Sequence, residues 1–215
     1  MGVTRAAVST AVDCSVAIAN EINRKEPMGR LSGTRVKDLE LRDLSVDQAE
    51  AFFDHVERNR AIYADFIPFV SRTRDLPAMR RTIEQNLVRQ AQGLAEFYTL
   101  WSGERMAGYF LVREKDPDAR WAEIGYMLDR EWHRQGITAR ICTLLIDDLF
   151  QHQGMDRIVL SCAGANTASI GVGAKLGFTL EGRLRNHCVM NGKRDDLVYM
   201  GLLKADWTLH AARRA

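Results

Sequence analysis

The run EIGYMLDREWHRQGITARI, residues 123–141, constrains the fold of this chain more than any other stretch. Its first half is rich in the apolar and aromatic residues of a buried strand. From Ile137 onward, Ile141, Leu144, Leu145, Ile146, Leu149 and Phe150 recur at helical spacing, and the pattern ends near Gly154. The change falls across Arg134-Gln135-Gly136. Such a turn aims the unpaired N–H groups of a helix start, and the positive end of its dipole, at one point. It suits an anion such as pyrophosphate, with His133, Arg134, Gln135, Gly136, Ile137 and Thr138 as the residues around it. A strand at 157–162 and a short helix at 166–176, closed by Gly177, come next. The order strand, helix, strand, helix requires a parallel pair of strands.

The elements before this unit alternate. Residues 39–44 have period two and read as a strand. Residues 46–61, opened by Ser45 as N-cap, carry Ala49, Phe52, Phe53 and Val56 at helical spacing. Pro68 and Pro77 bracket a turn region, and residues 78–92 form an amphipathic helix with Met79, Ile83, Leu87 and Val88 on one face. Strands at 96–101 and 107–112, joined through Ser102-Gly103-Glu104-Arg105, lead past Pro117 and Asp118 into a strand at 122–128, an antiparallel meander. At the far end, strands at 178–189 and 196–203 flank Asn191-Gly192, a strong hairpin signal.

These elements occupy one body, residues 34–208, with a short tail at 209–215. Residues 1–33 read as an appended segment, punctuated by Pro27, Gly29 and Gly33; it either forms a short helix over VDCSVAIANEI or precedes an alternative start at Met28. At 215 residues and 46% hydrophobic content, one sizeable core is expected rather than two. Thirty basic against 28 acidic residues leave a formal charge of +2, which does not argue for nucleic acid, and Arg80, Arg81 and the Arg213-Arg214 tail belong to no aromatic-basic motif. No apolar run approaches the roughly 20 residues of a membrane span, and Asp13, Glu21 and Asn23 interrupt any signal-peptide core, so a cytoplasmic protein without a membrane partner is expected. Cys14, Cys142, Cys162 and Cys188 lie far apart without a CxxC pair, which indicates neither zinc nor a disulfide framework.

The order of elements, with the phrases EIGYMLD (residues 123–129), NTASIGVGAKLGFTLEGRLR (166–185) and MNGKRDDLVYMGLLKADW (190–207), resembles the GNAT superfamily of N-acetyltransferases. The resemblance is closest to its RimJ/RimL-type ribosomal-protein subgroup and covers residues 36–207. It implies an α/β (α+β) fold, a mixed, mostly antiparallel sheet of about seven strands with a central parallel pair, flanked by about four helices. It also implies acetyl-CoA as cofactor and an amine acceptor, either a peptide N-terminus or a small molecule. The subgroup commonly shows Gln-Gly-x-Gly in the pyrophosphate loop, whereas this chain reads His133-Arg134-Gln135-Gly136 and keeps only Gly136 of the two glycines. A left-handed conformation at Arg134 would cost on the order of 1 kcal/mol, offset where its guanidinium meets a phosphate.

Acetyl transfer needs a held thioester, an oxyanion donor, a neutral amine and a proton source for the departing thiolate. The resemblance implies a bulge that splays the strand at 123–128 from its parallel neighbour. Backbone at Tyr126, Met127 and Leu128 is then expected to hold the thioester and pantetheine. Ser169 is implied as the group near the thiolate and Asn166 as a contact of the pantetheine arm; helix capping by Asn166 is the simpler reading, and both can hold. Glu123 is the candidate general base or an ordinary salt-bridged strand residue, and His187 is a second candidate or merely surface. An acidic residue that the resemblance implies on the strand at 178–189 is replaced by Cys188. Cys162 reads as packing rather than as an acyl-carrying nucleophile. A catalytically weak acyl-CoA-binding sensor or interaction protein with the same fold is the alternative function. A homodimer through the C-terminal hairpin or the N-terminal segment is a further expectation.

Overall fold

The computed structural model describes residues 31–212. The expectations for residues 1–30 lie outside the described residues. Leu31, Ser32 and Gly33 are tied to the body: the Gly33 N–H donates to the Leu41 carbonyl at 2.7 Å, Ser32 Oγ accepts from the Asp43 N–H at 3.3 Å, and Leu31 packs on the core.

Among the described residues eight strands form one sheet in the order β1-β2-β3-β4-β5-β6-β8-β7. They are β1 (Arg35–Val36), β2 (Leu39–Asp43), β3 (Glu96–Ser102), β4 (Arg105–Asp116), β5 (Trp121–Leu128), β6 (Arg157–Ala163), β7 (Thr179–Met190) and β8 (Lys193–Leu203). Among the described residues six α-helices accompany them: α1 (Ala49–Tyr63), α2 (Pro68–Arg72), α3 (Leu76–Ala91), α4 (Ile137–Gln151), α5 (Thr167–Lys175) and α6 (Lys204–Ala212). Within the described residues the expected strands and helices are present, with β1, α2 and α6 added. β1 has two residues, too few to show a period. α2 and α3 both use proline where a turn was read: Pro68 opens α2, and Pro77 lies in the first turn of α3, where a missing N–H costs nothing. Asp75 caps α3 by accepting from the Ala78 N–H at 2.7 Å. Ser45 and Gln48 close a capping box around a short 3₁₀ turn, Val46–Gln48, that leads into α1.

Strand alternation splits the core between two sheet faces. On one, Phe52, Val56, Ile83, Tyr109 and Met127 pack beneath α1 and α3; on the other, Ile124, Ile141, Leu145, Leu149, Ile158 and Leu160 pack beneath α4. Each of these side chains contributes about 1.5–3 kcal/mol by burial, which fixes α4 and its N-terminus against β5.

All described strand pairs are antiparallel except β5 with β6, whose pairing covers Trp121↔Arg157, Ala122↔Ile158 and Glu123↔Val159 and then stops. The expected bulge lies on β4 and not on β5: Arg113 is the extra residue between the pairs Val112↔Ile124 and Glu114↔Glu123. A methyl group at Gly108, also on β4, would sit 2.9 Å from the Met127 carbonyl oxygen and 3.2 Å from Leu128 Cδ1. Gly108→Ala must push β5 away, and a loss of about 1–3 kcal/mol is expected in a thermal or urea melt. An unchanged midpoint would show that β5 yields there without cost.

Candidate active site

Beyond Glu123, β5 and β6 part, leaving a gap between residues 124–128 and 160–163. The Asp129 N–H donates to the Ala107 carbonyl on β4 at 2.7 Å, and antiparallel alternation therefore turns the main-chain groups of Met127 toward β4 as well. Those of Tyr126 and Leu128 face the gap. Of the three backbone positions expected to hold a thioester arm, Met127 is thus already engaged in the sheet. The Leu128 carbonyl accepts from His133 Nε2 at 2.9 Å, so the His133 ring folds back onto the strand end.

The turn into α4 has the anticipated geometry. Arg134 is left-handed at φ 59° and Gly136 at φ 75°, and α4 has no side-chain cap. The Arg140 N–H makes the first helical bond, to the Gly136 carbonyl at 3.1 Å, so the N–H groups of Ile137, Thr138 and Ala139 point out of the helix start. Gln135 braces the turn by donating to the Glu131 carbonyl at 2.9 Å, and its amide oxygen accepts from Lys37 Nζ at 3.2 Å. Lys37, in the β1–β2 turn, was not visible as a site residue because it lies 98 positions away in sequence.

The two faces of the gap carry different chemistry. On the α1–α3 face, Glu123 is buried and ion-paired with Arg113, and it accepts from Ser161 Oγ at 2.5 Å; Arg113 Nη2 also donates to Ser161 Oγ at 2.9 Å. On the α4–α5 face, Asn166 caps α5 by accepting from the Ser169 N–H at 3.1 Å, as the simpler reading required. The Tyr126 hydroxyl is buried without a full hydrogen bond. Burial raises its pKa far above the ordinary range, and the nearby Ser169 hydroxyl partly offsets this. Burial likewise pushes the Cys162 thiol up to about 11, which keeps it protonated and unsuited to nucleophilic attack.

His187 is not brought to this cluster. It is exposed, in the part of β7 where pairing slips between Leu184 and Cys188, and two strands separate β7 from β5. Cys188 is committed to β8, its Sγ lying 3.4 Å from the Asp195 and Asp196 carbonyls. At the hairpin tip, Asn191 Nδ2 donates to Asp65 Oδ1 at 2.9 Å, so the β7–β8 turn meets the loop between α1 and α2. Half-buried Phe66 lies in that same loop, whereas Tyr63, Trp101 and Tyr109 are core. A separate open groove of about 680 Å³, lined by Arg58, Ile62, Arg105, Asp129 and Arg130, flanks the β5–α4 turn without including Glu123 or Ser169.

Comparison with known proteins fits this geometry. Residues 38–179 match the Acetyltransferase (GNAT) domain family. YdaF of Bacillus subtilis, which carries the name of a ribosomal N-acetyltransferase, is 29% identical over 171 residues, covering 79% of this chain and 93% of its own. The ribosomal-protein-serine acetyltransferase of Escherichia coli is 24% identical over 161 residues, 75% of this chain and 90% of its own. The solved structure of RimL, a ribosomal L7/L12 alpha-N-protein acetyltransferase in complex with coenzyme A, superposes with a TM-score of 0.74 at 25% identity, over 78% of this chain and 95% of that one.

The residues present suit coenzyme A. The uncapped α4 start and Lys37 offer donors and positive charge for a pyrophosphate, the gap exposes main-chain groups of Tyr126 and Leu128, and the buried Tyr126 hydroxyl lies beside Ser169. Against relatives named as acetyltransferases, the reading as a catalytically weak acyl-CoA-binding sensor or interaction protein is not favoured. The chain belongs to the GNAT acetyltransferase family and is an acetyl-CoA-dependent N-acetyltransferase.

Proposed function

We propose that the acceptor is the α-amine of a peptide or protein N-terminus, attacked directly in a ternary complex. The observation that carries this is the gap itself, with the Glu123 carboxylate on one face and the Ser169 and Tyr126 hydroxyls on the other. Bound acetyl-CoA supplies the activated acetyl group. The Ile137, Thr138 and Ala139 N–H groups, Lys37 and Arg134 hold its pyrophosphate, while the gap-facing main chain of Tyr126 and Leu128 aligns its arm. Glu123 takes a proton from the incoming amine, directly or through a water, and Ser169 gives one to the departing sulfur with Tyr126 beside it. A peptide α-amine, with pKa near ~8, loses its proton far more readily than a lysine near ~10.4, which favours an N-terminal acceptor at neutral pH.

The relatives named for ribosomal proteins support a protein or peptide amine over a small molecule. Thiol release measured over a panel of peptide N-termini, polyamines and amino acids tests this. Turnover confined to small amines would refute the peptide reading. We also place the protein in the cytoplasm, in keeping with those ribosomal relatives; among the described residues no helix is long and apolar enough to cross a membrane. A homodimer belongs to the same reading: β7 is an edge strand with exposed Leu180, Leu184 and Val189, and sedimentation distinguishes dimer from monomer.

Arg134 gives a measurable test of the cradle. In Arg134→Gly the relief of a left-handed side chain, about 1 kcal/mol, is largely cancelled by the greater freedom of glycine in the unfolded chain. Stability should therefore stay within about 0.5 kcal/mol, while the KM for acetyl-CoA rises about tenfold through loss of one charge-assisted contact. An unchanged KM would remove Arg134 from the phosphate site.

A further inference from the structure

We infer that Arg113 recognises the carbonyl oxygen of the acceptor's first residue and so selects an α-amino carbonyl compound over a simple alkylamine. This rests on the reading of Glu123 as the group that receives the amine. Arg113 is the bulged residue of β4, without a ladder partner on β5, and a bulge beside an active site re-aims its side chain. Its guanidinium crosses to β5 and β6, donating through Nη2 to both Glu123 Oε1 and Ser161 Oγ. Ser161 Oγ donates to the same Glu123 oxygen. Among the described residues, Glu123 Oε2 and the Nε and Nη1 groups of Arg113 make no hydrogen bond. The pair is also oriented: the Glu123 side chain is 10% exposed and that of Arg113 is 49% exposed, so the carboxylate lies inside and the cation at the mouth.

An α-amine bound at Oε2 carries its own carbonyl oxygen about 3 Å from its nitrogen, a distance set by the bonds of one residue. That oxygen falls within reach of the unused guanidinium donors. An alkylamine presents methylene there and leaves the donors to water. The same positive charge disfavours the ammonium form of the bound amine, which adds to the advantage of a substrate that must react neutral.

The test uses the full-length protein at saturating acetyl-CoA, with two acceptors, a short peptide with a free α-amine and an alkylamine of matched size. For Arg113→Met, kcat/KM toward the peptide should fall about 10- to 100-fold, chiefly through KM, and the peptide-to-alkylamine ratio should shrink toward one. Arg113→Lys should restore part of that ratio, and the KM for acetyl-CoA should not move in either variant. An equal loss with both acceptors would overturn the inference, because Arg113 would then only position Glu123. No loss with the peptide, or a wild-type preference for the alkylamine, would overturn it too. Glu123→Gln separates the two readings: if it leaves turnover intact, the base assignment fails while the acceptor ratio of the Arg113 variants still reports on carbonyl recognition.

Discussion

Glu123→Gln is expected to lower kcat/KM for the amine acceptor by about 10²- to 10⁴-fold, the range that positioned proton transfer contributes. The amide keeps an oxygen that accepts from Ser161 and Arg113, and Arg113 remains half in solvent, so the substitution strands no buried charge. Thermal stability and the KM for acetyl-CoA should consequently stay near wild type. The comparison that isolates the chemical step is between Glu123→Gln and Ser161→Ala. Ser161 touches only the Oε1 side of the carboxylate, so its loss should cost far less than removal of the base itself. A Glu123→Gln variant with wild-type kcat/KM, measured by thiol release, would leave the gap without a base on its acceptor face. Some other group, or a water, would then have to take the proton.

What could be read in the sequence divides along a physical line. Period-two alternation located β2, apolar content located the central strands, and the Asn191-Gly192 turn located β7 and β8. The turn at Arg134-Gln135-Gly136 was legible because it marks where the pattern changes, and the left-handed conformation of Arg134 follows from its place in the family's glycine pattern. Which strands pair was legible, but the register of that pairing was not. Arg113 and Ser161 acquire their meaning only because a bulge on β4 and the end of β5–β6 pairing bring them to Glu123, across separations of 10 and 38 residues. Lys37 at Gln135 and Asn191 at Asp65 are longer-range still. The same limit explains His187: its residue type suited a base, but register slippage leaves it exposed on the far edge strand. The resemblance implied a bulge on β5, whereas the extra residue lies on its antiparallel neighbour β4.

A second large effect concerns stability and comes from His55, which no motif singled out. It lies on α1 at 0% exposure, with Nδ1 3.3 Å from the Met106 carbonyl and Nε2 3.1 Å from the Tyr63 hydroxyl. A carbonyl can only accept, so Nδ1 carries the proton and Nε2 accepts from Tyr63, the neutral tautomer. Burial, the largest influence, pushes the imidazole pKa down to about 4; Asp129 and the Met106 carbonyl oppose this, and Arg58 and Arg105 reinforce it. Between about pH 6.5 and 4 the unfolded chain therefore binds a proton at this residue that the folded chain does not, and acidification favours unfolding. The contribution is complete above pH 6.5 and is lost as pH falls toward 4, about 3 kcal/mol in all. That is a large share of the 5–15 kcal/mol typical of a whole domain. Carboxylates such as Glu57, held low by Arg60, weaken the fold only at more acidic pH, and Glu57 is exposed enough to matter little. Urea melts at pH 7, 6 and 5 should thus show a progressive fall in wild-type stability. His55→Gln, which keeps an N–H donor group and an oxygen acceptor but does not titrate, should be less stable at pH 7 yet nearly flat across the same interval. A wild-type protein equally stable at pH 7 and 5, or a Gln variant with the wild-type slope, would show that His55 does not resist protonation, and the Arg58–Asp129–Arg105 cluster beside it would then have to accommodate an imidazolium.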